Sequence, residues 1–212
     1  MQIKSYISSN CVISDGVVYK NGKAVFKNRD AGVEDLLLYV YQHFGIKYPK
    51  FYKMDNLSKL GWLAAEILLQ DKFDAAKYQP EDVGLILANA NSSLDTDVRY
   101  YETAKQIASP SLFVYTLPNI MTGEICIRHN FKGENAFFIF EKFDAGFIQE
   151  YVNNLLNNDT LQACICGWVE LLENQYNTVL FLVEKKSDAD KAMPSDLFTT
   201  ENILKIYQLK NG

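Results

Sequence analysis

"GENAFFIFEKFDAG", residues 133–146, reads as a strand, a tight turn and the start of a helix. Ala136, Phe137, Phe138, Ile139 and Phe140 are apolar at every position, which predicts a strand without a wet face. The helix that follows is amphipathic. Phe147, Ile148, Tyr151, Val152, Leu155 and Leu156 form one stripe, and Gln149, Glu150, Asn153, Asn154, Asn157 and Asn158 form the other. Many enzymes mount a nucleophile on such a strand–turn–helix unit. Here the turn is Glu141-Lys142-Phe143-Asp144, with neither Cys nor Ser.

Upstream, "VGLILAN" (83–89) is a second continuous apolar run, as expected of a strand covered on both faces. Asp55 is placed to cap a helix whose Leu60, Leu63, Ala64, Ile67 and Leu68 recur at helical spacing. "GVEDLLLYVYQHFG" predicts an earlier helix ending near Gly45. Before it, Asn21-Gly22 between short alternating runs predicts a β-hairpin, and "IKSYISSNCVIS" a first strand. "SSLDTDVRYYETAKQI" reads as loop and helix. Thr116 is placed to cap the helix before residue 133, with Pro118 in its first turn. Downstream, "LQACICGWVELL" and "NTVLFLVEKK" are strands, and "TENILKIYQL" is a short closing helix. Strands alternating with helices and then two close strands predict a mixed α/β sheet with helices on both faces.

The 212 residues suit one domain with or without an extension, and 48% hydrophobic residues suffice for a sizeable core. A formal charge of −5, with charges mixed throughout, argues against a general nucleic-acid binder. "MQIKSYISSN" lacks the apolar core of a signal peptide and no apolar run approaches a membrane span, so a cytoplasmic location is expected. No Gly-rich phosphate loop follows a strand, and no cofactor is expected.

Several side chains carry two readings. Cys11, Cys126, Cys164 and Cys166 form no CxxC pair and read as buried free thiols rather than zinc ligands or disulfides. Cys164 and Cys166 share a strand face, a redox pair on one reading and core thiols on the preferred one. Lys142 is a nucleophile only if burial depresses its pKa; solvated pairing with Glu141 or Asp144 is preferred. Asp144 reads as a helix N-cap before a catalytic acid. "NSSLDTD" (91–97) follows a strand's carboxyl end, where open α/β sheets collect ligands; Asp95 and Asp97 there are metal ligands or, preferably, a helix cap. His43 and His129 read as surface or locally bonded residues.

Three stretches carry a family resemblance: "YKMDNLSKLGWLAAEILL" (52–69), "PEDVGLILANANSSLDTD" (80–97) and "SPSLFVYTLPNIMTGEICIRHNFKGENAFF" (109–138). Their most specific part runs Ser109-Pro110, Asn119, Gly123-Glu124, Arg128, Lys132-Gly133. Over about residues 50–185 the chain resembles the N-terminal half of the β-ketoacyl-acyl carrier protein synthases, thiolase-fold enzymes of fatty-acid and polyketide synthesis. The resemblance implies the thiolase-like N-terminal half with a five-stranded mixed sheet over residues 1–186, and a C-terminal extension with a short helix over 187–212. It also implies a cysteine at the start of the helix after the strand, in a pattern like TACSSG, and two histidines in the C-terminal half. Counting back from Gly146 puts Phe143 at the cysteine's place, and counting forward from Gly133 puts Lys142 there. Neither is cysteine, and the histidine-bearing half has no counterpart in this chain. The short link "ENQYN" also stands where the family has a long excursion.

The expected function is therefore a catalytically degenerate 3-oxoacyl-ACP synthase-like protein, inactive alone. It would act beside an active synthase, as chain-length-factor subunits do, in a fatty-acid, polyketide or aryl-polyene-type pathway. A ketosynthase partner or a homodimer is implied, with acyl carrier protein as a further partner. In thiolase-fold dimers the strand 136–140 lies at the sheet edge and pairs with the partner, so it is expected to be covered, by a partner or by the C-terminal segment. The alternatives are a carrier-dependent acyltransferase using Glu141, Lys142, Asp144 or His129, and a self-associating protein without acyl chemistry.

Overall fold

The computed structural model describes residues 4–185 and 196–208. Its sheet is ordered β3-β2-β1-β7-β6-β4-β5, with a two-residue β8 added to β1. The strands are β1 (Ser5–Ser14), β2 (Val17–Lys20), β3 (Lys23–Lys27), β4 (Val83–Asn89), β5 (Asn135–Ile139), β6 (Ala163–Leu172), β7 (Gln175–Lys185) and β8 (Asp196–Leu197). β5, β4 and β6 are parallel; all other pairings are antiparallel. The sheet is mixed, as expected, but it has eight strands where five were expected. β5-β4-β6-β7-β1 form a five-stranded span. The β2–β3 hairpin extends it because Asn21 (φ 51°) and Gly22 (φ 74°) supply the two left-handed residues a tight turn needs.

Among the described residues seven α-helices pack around it: α1 (Val33–His43), α2 (Asn56–Leu69), α3 (Leu94–Ala104), α4 (Pro110–Val114), α5 (Asn119–His129), α6 (Ala145–Asn157) and α7 (Thr200–Tyr207). On one face, Leu85, Leu87, Ile165 and Leu182 pack with α1, α2 and α5. On the other, Ile86, Cys164, Cys166 and Phe181 pack with α6 and α7. β4 is buried at every position because both of its faces are covered. Sequence spacing predicts a one-sided α2, but every residue except Lys59 and Glu66 is buried. The sheet lies under it, and Gly61 admits the Met121 side chain of α5 so closely that a Cβ would sit 2.0 Å from its Sδ. Asp55 caps α2, accepting from the Ser58 N–H at 2.9 Å, and also receives the Thr96 hydroxyl at 2.5 Å, tying α2 to α3.

Two local expectations change. Pro118, not Thr116, stands at the N-cap of α5; the Thr116 hydroxyl donates instead to the Phe113 carbonyl at 2.8 Å, closing α4. Asp95 and Asp97 sit inside the first turn of α3 rather than capping it. Asp95 accepts from the Glu173 N–H at 2.9 Å and so fastens α3 to the two-residue β6–β7 turn.

The polar stripe of α6 is only partly wet. Gln149 accepts from the Thr200 N–H at 2.7 Å, and Asn153 accepts from the Ser5 hydroxyl, so two of its six residues bind the fold internally. α7 buries Ile203 and Ile206, and together with Phe198 they join Ile7, Val12, Val179, Phe181 and Val183 of β1 and β7 in the core on the α6 side of the sheet. The domain boundary expected at 186/187 lies outside the described residues.

Gly167 in β6 has φ 148°, and a Cβ there would lie 2.0 Å from the Val179 carbonyl oxygen of the paired strand. Gly167→Ala is expected to cost about 2–3 kcal/mol, read as a lower urea midpoint at unchanged slope.

Candidate functional site: the turn after the edge strand

β5 pairs with β4 from Leu85↔Asn135 to Asn89↔Ile139, and among the described residues no strand lies on its other side. The described part of the C-terminal segment adds no strand to it: β8 pairs with Tyr6 and Ile7 of β1, beyond three intervening strands. Its side chains split between the faces. Phe137 packs toward α5, while Ala136, Phe138 and Phe140 join the α6 side. There the Phe138, Phe140, Phe147 and Tyr151 rings meet at centroid distances of 4.9–5.8 Å, mostly edge to face. The strand is held by its faces, while Ile139 is 48% exposed at its end.

The turn divides its four residues between solvent and core. Glu141 and Lys142 are exposed. Phe143 turns inward, only 9% exposed, and its ring lies 5.9 Å from Trp168 and 4.6 Å from Tyr207. Asp144 accepts from the Phe147 N–H at 2.9 Å and caps α6, as its position predicts. Of the two residues aligned with the nucleophile's place, one is solvated and the other is an aromatic plug. Outside the plug lies an open depression of about 720 Å³, lined by Ile139–Gly146, Thr200 and Leu204.

The other candidate residues do not converge on this turn. His129 stacks on Phe131 at 5.3 Å, in the core on the opposite face of the sheet from Phe143. His43 meets the Phe26 and Phe44 rings, also on that opposite face. Asp95 is committed to the β6–β7 turn, and Asp97 lies 3.3 Å from the Ser93 hydroxyl that donates toward it. The four cysteines are free. Burial pushes the Cys11 thiol up to about 12 and Cys126 to about 11, and raises Cys166 well above the ordinary thiol value, so these three are poor thiolate sources.

The sequence does not reveal a charged cluster beside the α2–α5 packing. Glu66 of α2 lies 3.0 Å from Arg128 Nε and 2.8 Å from His129 Nε2. The Arg128 guanidinium sits 5.0 Å above the Tyr48 ring. These groups border an open cavity of about 540 Å³ with Phe44, Phe73 and Lys47. A buried acid, Glu124, receives the Tyr115 hydroxyl at 3.1 Å and pairs with Lys50 at 2.7 Å. The available signal is a lone Glu in each apolar helix stretch, which for Glu66 reads equally well as one solvated position.

Burial alone would raise the Glu66 pKa, but the hydrogen bonds from His129 and Arg128 outweigh it and hold the carboxyl below its ordinary value. A lowered folded-state pKa stabilises above the unfolded value near 4.5, and the gain is lost as pH falls through the lowered value. Glu66→Gln is therefore expected to lower the urea midpoint near neutrality, with the gap to the unmodified protein shrinking as the pH is taken below 4.5. For the turn, Phe143→Ala is expected to cost about 3 kcal/mol, Asp144→Ala about 1 kcal/mol and Lys142→Ala within about 0.5 kcal/mol. Chemical denaturation of the three variants checks that order.

No family model matches the sequence, and a search of curated proteins finds no significant match. Solved structures do match. The chain overlays the ishigamide ketosynthase/chain length factor with a TM-score of 0.62 at 14% identity, covering 91% of this chain and 64% of that one. A type II polyketide synthase acyl-carrier protein in complex with its ketosynthase bound to the hexaketide (AntDE:AntF) matches with a TM-score of 0.62 at 15% identity, covering 90% and 65%. The complex of the ketosynthase ApeO with its chain length factor ApeC from Xenorhabdus doucetiae matches with a TM-score of 0.58 at 10% identity, covering 99% and 93%. The chain thus spans just under two thirds of the first two chains and nearly all of the third. At such identities the likeness is one of architecture. The fold is the thiolase-like α/β fold of ketosynthases and chain length factors.

Proposed function

We propose that this protein is a non-catalytic ketosynthase-like subunit that pairs with an active 3-oxoacyl-ACP synthase, in a fatty-acid or polyketide pathway of the aryl-polyene type. One observation carries the reading. The strand–turn–helix unit is intact, yet the nucleophile's place holds solvated Lys142 and the buried ring of Phe143. Two further facts support it. Structures it overlays are a ketosynthase with its chain length factor and a ketosynthase with its acyl-carrier protein. The ApeO–ApeC match covers 93% of the partner chain's own length, so a chain of similar extent occurs within such a complex.

In this reading β5 is the association strand, through Ala136, Phe137, Phe138, Ile139 and Phe140. The Phe140 N–H donates back to the Asn89 carbonyl at 3.0 Å. By strand alternation, the N–H groups of Asn135, Phe137 and Ile139 then face away from β4, toward a strand added from outside. An acyl carrier protein would be served by the active partner. The acyltransferase alternative gains nothing from the geometry, because Asp144 is spent on its cap and His129 lies across the sheet.

The test is co-expression with a ketosynthase encoded nearby, followed by size exclusion with mass measurement. A one-to-one complex is expected, and Ile139→Pro is expected to abolish it while leaving the circular dichroism spectrum unchanged, since proline is tolerated at an edge position whose N–H points outward. Mass spectrometry of the isolated chain after incubation with acyl-carrier substrate is expected to show no adduct. A covalent acyl group on the chain alone, or a homodimer indifferent to every synthase offered, would sink the proposal.

A further inference from the structure

β4 lies between two parallel neighbours, β5 on one side and β6 on the other. The crevice beyond the carboxyl end of such a strand is where open α/β sheets take ligands. The chain leaves β4 there through Asn89-Ala90-Asn91-Ser92. Asn89 closes this turn with its own side chain: its amide donates to the Ser92 carbonyl at 2.8 Å and its oxygen accepts from the Ser92 N–H at 2.9 Å. Ser92 takes a left-handed φ of 53° to complete it. The turn therefore holds the successive N–H groups of Ala90 and Asn91 in a fixed direction, two residues or more before α3 begins at Leu94.

Those groups converge on one carboxylate. β6 is in register with β4 at Ala88↔Trp168, so Glu170 stands just past the last paired position. Its Oε2 accepts from the Ala90 N–H at 2.5 Å and from the Asn91 N–H at 3.3 Å, and its Oε1 accepts from the Asn91 side-chain amide at 2.9 Å. Both oxygens are engaged, and every donor comes from the turn. Successive main-chain N–H groups with a side-chain amide beside them make an anion-binding nest, and charge-assisted bonds of this kind are the strong ones.

We infer that the carboxyl end of β4 is a carboxylate-binding site that the protein fills with its own Glu170. The ligand class is set by the donors: three N–H groups, spread so that two serve one oxygen and the third the other, fit a planar two-oxygen anion. With Glu170 in place the site is closed, and the turn that launches α3 is fixed without any bound molecule. With Glu170 shortened, the same donors accept a free carboxylate. The inference stands apart from the partner reading, because it rests only on the turn and β6.

Chemical rescue tests it. Glu170→Ala is expected to melt ~4–8 °C below the unmodified protein. Sodium formate or acetate should restore much of that loss in a saturable way, while sodium chloride at matched ionic strength should not; the unmodified protein should respond to none of them beyond the salt effect. A Glu170→Ala protein that melts with the unmodified one, or that gains equally from chloride and formate, overturns the inference. If that variant does not fold, Glu170→Met keeps the length of the side chain but carries no oxygen to accept from the turn. Hydrogen exchange at Ala90 and Asn91 should then be about tenfold faster than in the unmodified protein. Unchanged protection of both amides in Glu170→Met overturns it as well.

Discussion

Everything in this protein is arranged around a strand that can have no wet side. β4 is buried along its whole length between two parallel neighbours, and the residues of β6 are buried as far as Val169. A sheet of that kind is stable only if both faces are roofed with apolar surface. One roof is α2, buried nearly all round and braced by α1 and α5. The other is made in two pieces, α6 and the shorter α7, which share one apolar cluster with β1, β4, β6 and β7. The need for a second roof explains why a short helix of eight residues buries Ile203 and Ile206 and is tied down at Gln149 and Asn177.

The function proposed here follows from what that roofing does to the turn after β5. The resemblance puts a nucleophile at the first turn of the helix after this strand. Here Phe143, one of the two residues at that count, is packed into the apolar core. The Phe143 ring fills the gap between Trp168 on β6 and Tyr207 on α7, so the residue stabilises the junction of the two roof pieces. A reactive group in that place would need room and polarity that the packing removes. The retained unit therefore serves as structure and, in the proposed reading, as an edge for association.

Much of the fold was legible because its signals are local. Asn21-Gly22 announced its hairpin, Asp55 and Asp144 their helices, and the continuous apolar runs at 83–89 and 136–140 their strands. Most misses share one cause, the partner being distant in sequence. Glu170 looks like an ordinary exposed strand residue until β4 ends beside it, and the Glu66–Arg128–His129 cluster joins residues 62 or more apart. The strand count differs for two reasons: β8 reaches β1 across nearly the whole chain, whereas the β2–β3 hairpin joins β1 through the Asp15-Gly16 turn, a local signal of the same kind as Asn21-Gly22. The polar stripe of α6 is less open to water than its residues suggest for the same reason of distance: Ser5 and Thr200, its bonding partners, lie near opposite ends of the sequence.

The pairing of β1 with β7 joins Ser5 to Lys185 and runs without interruption to Ser14 and Asn177, apart from one bulge near Ser9. In chain order β2 follows β1 at once and can pair with Cys11–Ser14 through the Asp15-Gly16 turn, but β7 comes only after all of α1–α6 and β3–β6. Until then Ile7, buried in the finished protein and outside the β1–β2 pairing, has no neighbouring strand to join. Such long-range closure slows folding and lengthens the time that strand edges stand open to other chains. The maturation of this protein is thus set late, by the arrival of β7, and its yield in cells should depend on whatever shelters the early strands in the meantime.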